Sequence, residues 1–102
     1  MTLRMPDNEH NDDRTYRWKQ GGIPISAQHQ PLQSTLSAQV YGERMHRMRL
    51  LLYDGPEELT EGMGLCVYVD PSASCDFRII KAVAWDGVQR CDIEFIPEVM
   101  RA

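Results

Sequence analysis

The chain has 102 residues, 42% hydrophobic and 25% charged, a composition that fits one globular domain and excludes wholesale disorder. At this size there is room for one sheet or small barrel, and none for a separate cofactor domain. Eleven Lys and Arg against fifteen Asp and Glu leave a net charge of −4, which argues against bulk nucleic-acid binding, because that runs on phosphate neutralisation.

Residues 1–33 read as a flexible N-terminal arm. The first twenty are crowded with Asn, Asp, Arg, Glu and Lys, and Gly21-Gly22-Ile23-Pro24 and Gln30-Pro31 break any regular period. The first twelve or so are expected to be mobile. No apolar signal segment opens the chain, and no apolar run nears the roughly 20 residues of a membrane helix. The expectation is a cytoplasmic protein without membrane insertion.

Residues 34–102 read as an all-β domain, a small antiparallel β-barrel of about six strands. Leu36, Ala38 and Val40 alternate with Ser37, Gln39 and Tyr41, the period of a half-buried strand. Gly42-Glu43 supplies a turn, and Arg44 to Tyr53 returns as a strand; a helix over Glu43 to Tyr53 is the alternative, since Met, Arg and Leu favour helices. Asp54-Gly55-Pro56 breaks the chain, Leu65 to Val69 is strand-like, and Asp70 to Ser74 is turn composition. Phe77 to Trp85 is a further strand. Asp86-Gly87 after it favours a tight hairpin, because it tolerates positive φ. Val83, Trp85, Ile93 and Phe95 are the expected core residues of that hairpin. Short strands at this spacing suggest closure into a barrel, which removes exposed edges.

Chemistry is sparse. Cys66, Cys75 and Cys91 form no CxxC or Cys/His pattern, so three reduced, partly buried thiols are expected. His10, His29 and His46 are scattered, with no metal-ligating spacing; no Gly-x-Ser-x-Gly, Walker loop or G-x-G-x-x-G occurs. The chain is therefore not expected to be an enzyme, nor to carry a metal or cofactor. Two basic clusters remain. Arg14, Arg17 and Lys19 are interleaved with Tyr16 and Trp18, a make-up suited to clamping a nucleotide by phosphate bonds and stacking. Arg44, His46, Arg47 and Arg49 form the second. On a strand, Arg47 and Arg49 would share a face and hold an anion together, or simply make a solvated face.

Leu59-Thr60-Glu61-Gly62 followed by Leu65 to Val69, Lys81-Ala82-Val83-Ala84-Trp85, and Ile93-Glu94-Phe95 stand in the order of the L-x-x-G turn, the a-x-V-x-W strand and the closing strand of PilZ domains. Over this third of its length the chain resembles that family. The resemblance implies a six-stranded β-barrel that binds cyclic di-GMP through an arginine motif in an N-terminal arm and a second motif after a long strand. Here those ligand motifs are degenerate: Arg14-Thr15-Tyr16-Arg17 followed by Trp18 and Lys19, and Asp54 without its following serine and glycine. The implied ligand set is Arg14 and Arg17 on phosphates or a guanine edge, Trp18 stacking, Lys19 beside them, and Asp54 accepting from a guanine. The implied function is a non-enzymatic receptor or adaptor in cyclic di-GMP signalling with a protein partner. The alternatives are a ligand-free protein-interaction barrel and a small nucleic-acid-binding barrel.

Overall fold

The computed structural model describes residues 1–6, 18–32 and 35–100. Among these residues are seven strands: β1 (Thr2–Arg4), β2 (Ile23–Pro24), β3 (Gln28–Pro31), β4 (Met48–Tyr53), β5 (Gly64–Cys66), β6 (Phe77–Trp85) and β7 (Val88–Phe95). A helix α1 (Thr35–Tyr41) runs into a 3-10 helix (Gly42–Arg47) ahead of β4, and a short 3-10 turn (Glu98–Met100) follows β7. All seven strands belong to one antiparallel sheet in the order β2-β1-β5-β6-β7-β4-β3. The sheet curls into a half-barrel, the small all-β fold expected from the strand pattern. Among the described residues no helix is long and apolar enough to cross a membrane.

The β6–β7 hairpin is the backbone of the sheet. It turns on Asp86 and Gly87, both at positive φ (54° and 80°), the two-residue turn whose twist matches its strands. Paired residues point to the same side of an antiparallel sheet. On the concave side Ile79 meets Ile93, Ala82 meets Cys91, and Leu51 of β4 also meets Cys91. Leu51, Cys91 and Ile93 have no exposed surface. With Leu3, Leu65, Phe77 and Ile79 they form the main core, where each fully buried aliphatic side chain contributes about 1.5–3 kcal/mol. A second cluster joins Trp18, Cys66, Cys75 and Ile96.

Three expectations for the hairpin's core are corrected. Ile93 is buried, but Val83, Trp85 and Phe95 are 48%, 75% and 37% exposed. The register slips between Ile79 and Lys81, so one extra residue enters β6 there. Because side chains alternate with period 2, that bulge swaps the faces of all that follows. Ala82 packs against the core, while Val83 and Trp85 turn outward opposite Arg90 and Val88. Phe95, opposite Phe77, faces the concave side but sits at its rim.

The strand expected over Leu36 to Tyr41 is corrected to helix α1, and the return strand begins at Met48 rather than Arg44. β3 pairs Gln28–Pro31 against Leu52, Leu51, Leu50 and Arg49, occupying the edge of β4 that a Leu36 to Tyr41 strand would need. An extended segment with no partner leaves backbone groups unpaired; a helix pairs its own. Leu65 to Val69 is likewise strand only over Gly64–Cys66. There the Asp76 carboxylate accepts the main-chain N–H groups of Val67 (2.8 Å) and Tyr68 (2.9 Å) and bends the chain away.

The arm expected over residues 1–33 does not stand apart from the barrel. Thr2, Leu3 and Arg4 are buried, with Leu3 opposite Leu65 and Ile23. The Arg4 guanidinium donates to the carbonyls of Lys19 (3.0 Å), Trp18 (3.0 Å), Pro71 (3.4 Å) and Ala73. Multiple carbonyl acceptors are what a buried guanidinium needs. Residues 7–17, also expected to be mobile, lie outside the described residues.

Candidate functional site

Of the implied ligand set, Arg14 and Arg17 lie outside the described residues, as does Tyr16. Trp18 is 8% exposed, packs with Cys66, Cys75 and Ile96, and donates its indole N–H to the Gly62 carbonyl at 3.4 Å. Its ring is part of the core, which corrects the expectation of a free stacking platform. Lys19 is exposed, and its main-chain N–H donates to the Met5 carbonyl at 2.8 Å. Asp54 is exposed just after β4, lining a shallow hollow with Ser26, Gln28 and Val88. Trp18 beside Ile96 and Asp54 beside Val88 thus sit at opposite ends of β7. At strand rise those ends are about 25 Å apart. The structure does not bring these two residues together.

The second basic cluster is divided by the sheet. On the convex side Glu94, with 6% of its side chain exposed, accepts from Arg44 (3.0 Å), Arg78 (3.0 Å) and Arg47 (3.5 Å). Burial is the largest influence on its carboxyl and acts to raise it. The hydrogen bonds and charges of Arg44 and Arg78 together outweigh burial and hold it below the usual carboxylate range. Tyr41 donates to Asp92 at 2.6 Å, and burial followed by that bond pushes its hydroxyl up to about 12. These contacts dock the helical segment over one end of the convex face, where Met48 is buried. Arg49 leaves the cluster: it pairs with Ile93, on the concave side, and its guanidinium lies 3.5 Å from His29 Nδ1. The Arg47 and Arg49 strand face is corrected accordingly, since Arg47 closes the 3-10 helix.

Two surfaces stand out. The first is a groove of about 710 Å³ at the mouth of the half-barrel, where Arg47 and Arg49 meet Tyr68, Phe77 and Phe95. Its rings form a ladder: Tyr68 lies 6.2 Å from Phe77, and Phe77 lies edge-on to Phe95 at 5.6 Å. His29 stands edge-on to Tyr68 at 6.0 Å. Burial, then the Arg49 charge, lowers the His29 pKa, so the ring stays neutral at physiological pH.

The second surface is the convex face of the hairpin beyond the helical cover. Val83, Trp85 and Val88 are exposed there, next to the Val83–Arg90 and Lys81–Asp92 pairs. Leu50 and Leu52 of β4, opposite Asp92 and Arg90, are half-buried and extend this face. The apolar run of β6 predicts Val83 and Trp85 inside, because a bulge such as that between Ile79 and Lys81 has no local signature in so apolar a strand. The local sequence predicts a strand at Tyr68, and nothing near it in the chain marks the capping of its amide by Asp76.

The three thiols are free and fully buried, deeper than the partial burial expected of them. Cys66 and Cys75 lie 3.6 Å apart, sulfur to sulfur. Burial, then the neighbouring Cys66, pushes the Cys75 thiol far up, and burial with the Asp92 charge pushes Cys91 up to about 11. Thiols so shifted are poor nucleophiles. Among the described residues no cluster of His, Cys, Asp and Glu could hold a metal ion. No protein family, curated protein or solved structure matches the chain.

Proposed function

We propose that this chain is a protein-interaction module that docks a partner protein on the convex face of the β6–β7 hairpin. The observation that carries this reading is Trp85, 75% exposed on one face with Val83 and Val88. Tryptophan anchors dominate interface energetics when a partner covers them, and contiguous apolar patches on small proteins mark interaction sites. Lys81 and Arg90 stand on the same face, which selects a partner surface that is apolar at its centre and carboxylate-bearing at its rim. The cyclic di-GMP receptor reading has less support, because Trp18 is spent on the core and Asp54 lies at the other end of β7.

The test compares proteins retained by the immobilised wild type, Trp85→Ala and Arg90→Glu, with a calorimetric titration of cyclic di-GMP alongside. A partner retained by wild type and weakened about thirtyfold or more by Trp85→Ala, at unchanged urea midpoint, supports the docking face. Retention indifferent to both substitutions refutes it. Micromolar binding of cyclic di-GMP, with no protein lost on Trp85→Ala, would instead favour the receptor.

A further inference from the structure

The groove at the mouth of the half-barrel is independent of the hairpin face, and its chemistry is specific. Phe77 is buried at its floor, while Tyr68 and Phe95 stand exposed at its sides. Together they present a ring-lined surface that would hold a flat apolar body by edge and face contacts. Two guanidinium groups enter this apolar setting. Arg49 comes from the concave face of β4, where a charge is costly unless paired. Among the described residues its side chain meets no carboxylate; its one side-chain bond is the long 3.5 Å contact to the His29 ring. That contact leaves most of the five guanidinium donors unused.

Arg47 enters from the end of the 3-10 helix. Its link to Glu94 is also long, at 3.5 Å, because the two Glu94 oxygens already take 3.0 Å bonds from Arg44 and Arg78. His46 lines the same groove. Among the described residues no acidic residue lines it, so the charged groups they bring to its wall are cationic in a chain whose net charge is −4. A cavity of this size suits a small organic molecule, with apolar walls for its body and a few polar groups to fix its orientation.

From this juxtaposition we infer that the groove binds a small aromatic oxyanion. Its flat ring system lies along Tyr68, Phe77 and Phe95, and its carboxylate or phosphate is held by Arg49 and Arg47. The guanidinium fork matches either head group. The neutral His29 ring, in contact with both Arg49 and Tyr68, positions the guanidinium beside the aromatic wall.

The test is calorimetric titration of the full chain with three probes that share one ring system: β-naphthoate, β-naphthyl phosphate and the neutral β-naphthylmethanol. Variants are Arg49→Gln, Tyr68→Ala and, as a control distant from the groove, Trp85→Ala. At least one of the two anions should bind about tenfold or more tightly than the neutral alcohol, and the tighter anion names the head group. Arg49→Gln should remove that preference while leaving the alcohol's affinity unchanged. Tyr68→Ala should weaken anions and alcohol together, and Trp85→Ala should change nothing. Tyr68 is exposed, so its variant retains the fold, and a urea midpoint checks Arg49→Gln. Equal affinity for anion and alcohol, no measurable binding of either anion at millimolar concentration, or anion binding that survives Arg49→Gln each overturns the inference.

Discussion

Asp76 is the residue on which the bend after β5 depends, and its removal gives the sharpest test of the fold. Its carboxylate is 1% exposed and accepts two main-chain N–H groups, from Val67 at 2.8 Å and from Tyr68 at 2.9 Å, one on each oxygen. Its own carbonyl accepts the Ile96 N–H at 2.8 Å, which ties the end of β7 to the same point. A hydrogen bond to a charged group contributes about 1.5–3 kcal/mol. Two such bonds set an upper bound near 6 kcal/mol, but Tyr68 is exposed, so water reaches its freed amide and offsets part of the loss. Asp76→Ala should therefore cost about 2–4 kcal/mol. Asp76→Asn keeps the shape and one acceptor yet sets a donor NH₂ against the second N–H, so it should still cost about 1.5–3 kcal/mol. For a domain of this size each kcal/mol moves the melting midpoint by about 4–8 °C. Urea unfolding with a shared slope reads the difference directly. The exposed Asp70, whose carboxylate accepts from its near neighbour Ser72, is the control, and Asp70→Asn should fall within about 0.5 kcal/mol of wild type. If either Asp76 variant also does so, the capping argument is wrong.

Two further outcomes follow from the packing. Glu94 ties Arg44, Arg47 and Arg78 to the convex face, and its carboxyl is held below the usual range. The stability it contributes is therefore present above the unfolded value near 4.3 and lost as pH falls through the lower folded value. Glu94→Gln should cost about 1–2 kcal/mol at neutral pH, since the released guanidinium groups are partly exposed and rehydrate. Urea midpoints of wild type and variant should converge in acid, and a pH-independent difference would refute the assignment. Gly64 lies so close to the Trp18 indole and the Cys75 thiol that an added methyl has no room. Gly64→Ala should cost about 1–3 kcal/mol by overpacking, and a denaturation midpoint unchanged from wild type would show that the second core cluster is loose.

Residues close together in the chain fixed what local physics can fix. Phe77–Trp85, Asp86-Gly87 and Val88–Phe95 were legible as a hairpin, because apolar strand formers flank a dipeptide that accepts positive φ. The irregular spacing of Cys66, Cys75 and Cys91 suggests thiols outside any ligand set, but only the packing decides that all three are fully buried. Other features depended on partners distant in sequence. Leu36 to Tyr41 has strand-like alternation, but β3 had taken the edge of β4, and a segment without a partner strand satisfies its backbone as a helix. Thr2–Arg4 is too short to carry a period, and only pairing with residues more than fifty positions away in β5 buries it. Lys81 to Trp85 reads the same with or without the extra residue at Ile80, yet that one residue decides whether Val83 and Trp85 fill the core or face outward. The groove is the extreme case. His29, Arg49, Tyr68, Phe77 and Phe95 come from separate segments, and only the curl of the sheet brings their rings and charges to one mouth.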